Sequence, residues 1–203
     1  MLHIHELGIQ QYPLILERMQ TFTKNRTENT VDEMWLLEHY PVYTQGLRAN
    51  KENLLKETAI QVIHSDRGGQ ITYHGPGQLV AYCLLNLKRR ALNIKSLVFN
   101  LETVLINLLQ ELDIKGTRQC GAPGVYVENK KIASLGLRVK NGCSYHGIAL
   151  NIDMDLTPFT NINPCGFTKL AMTKIQNYQP NISFQVILSL WIKHFLLLFE
   201  EAS

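Results

Sequence analysis

The sequence predicts an α+β fold, with a mixed or antiparallel sheet and flanking helices. Three observations predict it. Extended apolar or β-branched runs outnumber helical stretches, six or more against three. The last runs are separated only by the tight pairs Asn129-Lys130 and Asn141-Gly142, which suit hairpins rather than crossovers. Strand and helix do not alternate regularly, as a doubly wound parallel sheet requires.

Taken in order, residues 11–23 read as a helix. Pro13 sits in its first turn, where a missing N–H costs little, and Leu14, Ile15, Met19 and Phe22 fall near one face. Val31 to His39 carries too few stop signals to decide between helix and strand. Pro41, Val42 and Thr44 favour extended chain after it. Gln61 to His64 reads as a short strand, and Leu79 to Leu87 as a buried one, because its apolar run is nearly unbroken. Ser96 is the predicted N-cap of a helix reaching about Leu112, along which Leu97, Leu101, Val104, Leu105, Leu108 and Leu112 recur at helical spacing. Strand-like runs then cover Gly124–Glu128, Lys131–Lys140 and Cys143–Asp153. Asn-Gly at 141–142 tolerates the positive φ that tight hairpins need. Residues 155–168 read as a polar loop, and a last helix runs from about Ile182 to Glu200.

A chain of 203 residues suits one domain, taken as 1–203. Hydrophobic residues at 45 % and charged residues at 18 % place it among globular proteins rather than disordered ones. The net charge of +3 is too dilute for a dedicated nucleic-acid binder, although it suits an acidic partner surface. Met1 to Glu6 shows no basic region followed by an apolar one, so no signal peptide is read and a cytoplasmic location is expected. Gln185, Ser189, Lys193 and His194 interrupt the apolar stretch from Ile182 to Phe199, which favours a helix on a core over a membrane span. Cys83, Cys120, Cys143 and Cys165 form no Cys-x-x-Cys pair, so neither a zinc knuckle nor a redox dithiol is expected, and no metal.

The densest local signal is Arg67-Gly68-Gly69-Gln70-Ile71-Thr72-Tyr73-His74-Gly75-Pro76-Gly77-Gln78, which holds four of the 13 glycines. Glycine lets a backbone bend sharply and approach a ligand closely. Arg67 offers a fork for an anionic group, and Gln70, Thr72 and His74 add donors. The segment lacks the Gly-x-x-x-x-Gly-Lys-Ser/Thr of a nucleotide loop and the Gly-x-Ser-x-Gly of a serine hydrolase elbow.

This segment, followed by Leu79-Val80-Ala81-Tyr82, resembles the signature of lipoyl(octanoyl) transferases. Further stretches agree in order: Glu38 to Thr44, Ala122 to Val127, Lys130 to Arg138, His146 to Asn151, and Asn163-Pro164-Cys165-Gly166. The resemblance spans roughly residues 30–175. It implies a fold similar to the catalytic domain of biotin and lipoate protein ligases. It also implies transfer of an octanoyl group from octanoyl-acyl carrier protein to a specific lysine. The acceptors would be lipoyl domains of 2-oxoacid dehydrogenase acyltransferase subunits and the glycine-cleavage carrier protein, with no cofactor.

A thioester is already activated, so a thiol nucleophile takes its acyl group without ATP and hands it to an amine. Cys165 is the candidate on context, between Pro164, which fixes the backbone, and Gly166, which leaves room for approach. Cys83 reads as core, Cys143 follows a hairpin turn, and the loop residue Cys120 is the main rival. The resemblance assigns Lys131 to activate the thiol, by charge or by accepting its proton. A Cys–His pair using His39, His74 or His146 is the competing arrangement, and the resemblance instead makes His39 and His146 pocket lining. It assigns substrate binding to Arg67, Gly68, Gly69, Gln70, Ile71, Thr72, Tyr73 and His74, then Ser134, Leu135 and Gly136, then Gly147, Ile148 and Ala149. The small residues among them leave room for an alkyl chain. Two alternatives stay open: an ATP-dependent lipoate–protein ligase, which needs no cysteine, and a non-catalytic module that binds a carrier domain.

Overall fold

The computed structural model describes residues 2–164 and 170–200. Its strands are β1 (Leu2–Gln10), β2 (Asp32–His39), β3 (Val42–Gln45), β4 (Val62–His64), β5 (Ile71–His74), β6 (Gln78–Leu84), β7 (Gly124–Val127), β8 (Lys130–Lys140) and β9 (Cys143–Asn151). Its α-helices are α1 (Tyr12–Lys24), α2 (Ile94–Glu111) and α3 (Phe184–Phe199). Six strands form one sheet in the order β1-β2-β6-β9-β8-β7, and three form a smaller one in the order β4-β3-β5. Only β1/β2 and β3/β4 pair in parallel. The mixed sheets with flanking helices are as the sequence predicts.

The large sheet is covered on both faces, and β2 explains why its own sequence is hard to read. Met34 and Leu36 join the core under α2 and α3, while Trp35 and Leu37 join the cluster under α1. With both faces buried, the polar half of the strand alternation disappears and Met-Trp-Leu-Leu reads as a featureless run. In α2, Leu97, Leu101, Val104, Leu105 and Leu108 are fully buried, and each such side chain contributes roughly 2 kcal/mol. Trp191 and Phe195 of α3 are fully buried in the same core, and the Trp191 indole N–H donates to Met34 Sδ at 3.2 Å. No helix among the described residues is long and apolar enough to cross a membrane.

Several sequence expectations need correction. The N-cap of α2 is Asn93, whose side chain accepts the backbone N–H of Ser96 at 2.9 Å, so Ser96 is the capped residue and not the cap. Leu14 points to solvent, and Tyr12 takes its place on the buried face with Ile15 and Met19. The β7–β8 turn is Glu128-Asn129, with φ of 49° and 62°, because Val127 already pairs with Lys130. The Asn141-Gly142 turn stands as predicted, with φ of 52° and 73°. β1 was not anticipated, although Leu2 and Ile4 pack on the core while His3 and His5 alternate with them. Phe159, inside the supposedly polar loop, is buried beside Tyr43 and Tyr73.

One irregularity matters for the site. The β7–β8 ladder shifts register between Val125 and Tyr126, which pair with Ala133 and Lys131. This bulge turns Lys131 inward, to 1 % exposure, while Lys130 stays exposed.

Candidate active site

The glycine-rich loop enters β5 and is tied down by Arg67. Its Nη2 donates to the carbonyl oxygens of Thr44 and Gln70, both at 2.6 Å, and its Nε donates to Thr44 Oγ1 at 3.0 Å. The guanidinium thus organises the loop from within, while also lining a cavity. Gly68 N–H donates to Leu137 O at 2.9 Å, which stitches the loop to β8. Between loop and sheet lies a narrow cavity of about 40 Å³, open at its mouth. Arg67, Gly69, Gln70, Ile71, Thr72 and His74 form one side; Ser134, Leu135, Gly136, His146, Gly147, Ile148 and Ala149 form the other. A Cβ on Gly147 would meet Ala81 O at 1.9 Å, so only glycine lets β9 lie this close to β6.

The inner wall is polar, and its hydrogen bonds are made at every histidine nitrogen but His146 Nδ1. His39 Nδ1–H donates to Gln10 O at 3.0 Å, which leaves Nε2 to accept the Tyr82 hydroxyl at 2.7 Å. His74 Nδ1–H donates to Gln78 Oε1 at 2.7 Å; Gln78 donates in turn to Asn151 Oδ1, and Asn151 to Thr173 O. His146 donates from Nε2 to Asp66 Oδ1 at 2.8 Å. Burial pushes the pKa of His39 down to about 4, and burial pushes His74 well below the usual histidine range, with nearby His39 and Arg67 adding to it. His146 is also lowered by burial, against the pull of Asp66. Burial works to raise the Asp66 carboxyl, but hydrogen bonds from His146 and Tyr145 outweigh it and hold the group well below the carboxylate range. In His39 and His74 both ring nitrogens are hydrogen-bonded, whereas His146 Nδ1 is buried with no partner.

Lys131 lines a second cleft beside the cavity, together with Arg48, Ala122 and Pro123; Gly69, Gln70, Leu135 and Gly136 are common to both spaces. The only charged groups among the described residues lining this cleft are Arg48 and Lys131, so its potential is positive. Lys131 Nζ lies 5.3 Å from the Tyr126 ring centroid. Gly124, at φ 137°, makes room for it: a Cβ there would meet Lys131 Cε at 2.5 Å. The backbone of Lys131 is held as firmly. Its N–H donates to Ala171 O at 2.8 Å and its carbonyl accepts Thr173 N–H at 2.9 Å.

Cys165 lies outside the described residues. Asn163, two positions before it, donates its backbone N–H to Asn53 O at 2.8 Å, and the Asn53 side chain donates to Gln70 Oε1 on the cavity rim. Ala171 and Thr173, beyond it, flank Lys131. Of the other cysteines, Cys83 is buried with its thiol pushed up to about 12 by burial, Cys143 is buried, and Cys120 is exposed.

The profile of the lipoyl protein ligase A/B catalytic domain matches residues 11–196. The chain belongs to this family. An octanoyltransferase of Legionella pneumophila (strain Paris) is 54 % identical over 197 residues, covering 97 % of this chain and 99 % of the relative. An octanoyltransferase of Escherichia coli (strain UMN026) is also 54 % identical, covering 87 % of this chain and 83 % of the relative. Among solved structures, a lipoate-protein ligase A bound with ATP superposes with a TM-score of 0.83 at 13 % identity, covering 98 % of this chain and 85 % of that one. A biotin protein ligase of Aquifex aeolicus superposes with a TM-score of 0.59 at 13 % identity, covering 98 % and 69 %. At that identity both show the fold alone, and it is the ligase-like fold the sequence resemblance implied.

Within this family fold, thirteen of the residues singled out from sequence share the cavity wall. Gly68 borders the neighbouring cleft instead. Tyr73 faces away, packing 5.5 Å from Tyr43 and 5.6 Å from Phe159 by ring centroids. His39 stands behind the wall, against Tyr12 and Tyr82. Three lining residues were missed: Tyr12, Val80 and Tyr82. Val80 and Tyr82 sit in a run that reads only as core, and β6 alternation is the signal that sets them apart from Leu79, Ala81 and Cys83.

Proposed function

We propose that this chain is an octanoyltransferase acting as one catalytic domain. It takes an octanoyl group from octanoyl-acyl carrier protein onto Cys165 and passes it to a lysine of a lipoyl domain. The observation that carries the reading is the junction of two spaces at Gly69, Gln70, Leu135 and Gly136, one a narrow, partly open cavity and the other a cleft holding a buried amine. Relatives named octanoyltransferase, at 54 % identity over most of the chain, supply the reaction. The acceptor class draws on a structural neighbour described as an archaeal lipoate ligase with its E2 lipoyl domain.

In the first half-reaction the Cys165 thiolate attacks the thioester carbonyl, the carbonyl carbon–sulfur bond to the donor breaks, and the carrier thiol leaves with a proton. In the second the acceptor amine attacks the octanoyl-Cys165 carbonyl, a carbon–nitrogen bond forms, and the cysteine sulfur departs. Lys131 serves both halves, either favouring the thiolate by charge or carrying the proton that the amine sheds. Asn163, two residues before Cys165 in sequence, is tied through Asn53 to Gln70, which borders the same cleft as Lys131, and this supports the pairing. Each methylene buried in the cavity contributes roughly 0.8 kcal/mol, so depth discriminates chain length modestly.

Intact mass after mixing enzyme with octanoyl-acyl carrier protein alone tests the reading. A gain of one octanoyl group, absent in Cys165→Ser, is expected. An unshifted mass while transfer to a lipoyl domain proceeds would refute the covalent route, and a requirement for ATP would replace transferase with ligase.

A further inference from the structure

Outside the cleft, β1 and β2 bring three metal-ligating side chains together. We propose that His3, His5 and Glu33 form a binding site for a divalent transition ion of the zinc class. One nitrogen or carboxylate oxygen from each lies within 4.8 Å of the other two. The arrangement follows from the pleat. Leu2 and Ile4 pack on the core, so His3 and His5 share the opposite face of β1, and parallel pairing sets His3 opposite Glu33 and His5 opposite Trp35.

The donor set is the right chemistry. Two imidazoles and one carboxylate make a ligand set that zinc takes with water in its fourth position. Tetrahedral bonds of about 2.0–2.1 Å place ligand atoms about 3.3 Å apart; His5 Nε2 already stands 3.4 Å from Glu33 Oε2. That nitrogen is buried and makes no hydrogen bond. His3 is exposed, its ring edge-on to that of His5 at 6.5 Å between centroids. The carboxylate is oriented from behind, since Trp35 Nε1–H donates to Glu33 Oε2 at 2.6 Å, and such outer partners hold ligating carboxylates in place.

An ion here would fasten the terminal strand of the six-stranded sheet to its neighbour. That strand also carries the Gln10 carbonyl on which His39 rests. The ion would act on folding, independently of acyl transfer.

The test is zinc titration of the full chain, freed of metal by a chelator, in calorimetry and thermal melting, with cobalt as a spectroscopic probe. Expected are one zinc per chain and a rise in Tm of about 5 °C or more at zinc a hundredfold above Kd. Affinity is expected to drop at least tenfold in His3→Ala and in His5→Ala, each with the circular dichroism of the parent. The cobalt spectrum is expected to lack the near-ultraviolet charge-transfer band of a thiolate ligand. No zinc binding, unchanged affinity in both variants, or a thiolate band would overturn the site. If His5→Ala fails to fold, His3→Ala decides alone, since its side chain is exposed.

Discussion

The two halves of the candidate site differ in how many titratable groups they carry and in how they hold them. On the inner wall, three histidines and their tyrosine partners are buried, neutral and hydrogen-bonded to fixed neighbours. On the outer side, Lys131 is equally buried but lines a positively charged cleft, and its surroundings make space for its Nζ. The contrast teaches that burial alone does not mark a reactive group. His74 and His146 border the cavity as well, so what separates the two sides is that burial holds the histidines toward the neutral form while the cleft of Lys131 gathers the basic residues.

Substitutions on the two sides ought then to separate turnover from stability. The largest effect is expected at Cys165→Ala, with transfer lowered by about 10⁴-fold or more and Tm unchanged; residual transfer within tenfold of the parent would move the nucleophile elsewhere, with Cys120 next to be tested. Lys131→Met, which keeps the apolar stem, is expected to reduce kcat by about 10²–10³-fold while retaining the parent circular dichroism. On the wall the readout reverses. Gly147→Ala forces a Cβ into the Ala81 carbonyl, and denaturant melts are expected to register a loss of about 3 kcal/mol. Tyr82→Phe leaves His39 Nε2 without its donor, at a cost of about 1–3 kcal/mol, with donor-only acylation still occurring.

The most gradual effect is in pH. His39 titrates near 4 when folded, against about 6.5 unfolded. Between those values the unfolded chain binds a proton that the folded chain refuses, so stability falls as pH falls through the window. The slope is about 1.4 kcal/mol per pH unit for this residue at most, with His74 and His146 acting in the same direction. Asp66 adds a further loss below the unfolded carboxylate range, because its folded pKa is depressed. His39→Gln keeps a donor and an acceptor and is expected to flatten the melting-temperature profile between pH 6.5 and 4.5; an unchanged slope would mean that His39 is not held neutral.

Much of the fold was legible because local chemistry and tertiary context agree. Asn141-Gly142 makes its turn wherever it is placed, and the leucine spacing of α2 admits only a helix. β2 was illegible because burial on both faces erases alternation, and β1 was passed over though Leu2-His3-Ile4-His5 alternates plainly. At the site, the glycine-rich loop announced itself by composition. Tyr12 and Tyr82 did not, since a tyrosine under a cavity and a tyrosine in a core have the same neighbours in sequence. Nor does sequence alone say that Arg67 spends its guanidinium on loop carbonyls.

Two adjacent lysines, 130 and 131, are chemically identical, and only one is turned toward the cleft. The irregular pairing between Val125 and Tyr126 makes that choice. It acts as a phase marker: the pairing advances two residues along β8, past Ile132, for one along β7, so a residue inserted between Val125 and Tyr126 would restore regular pairing and turn Lys130 toward the cleft instead. Which of two neighbouring lysines borders the cleft is therefore written in one extra residue, Ile132, of their own strand.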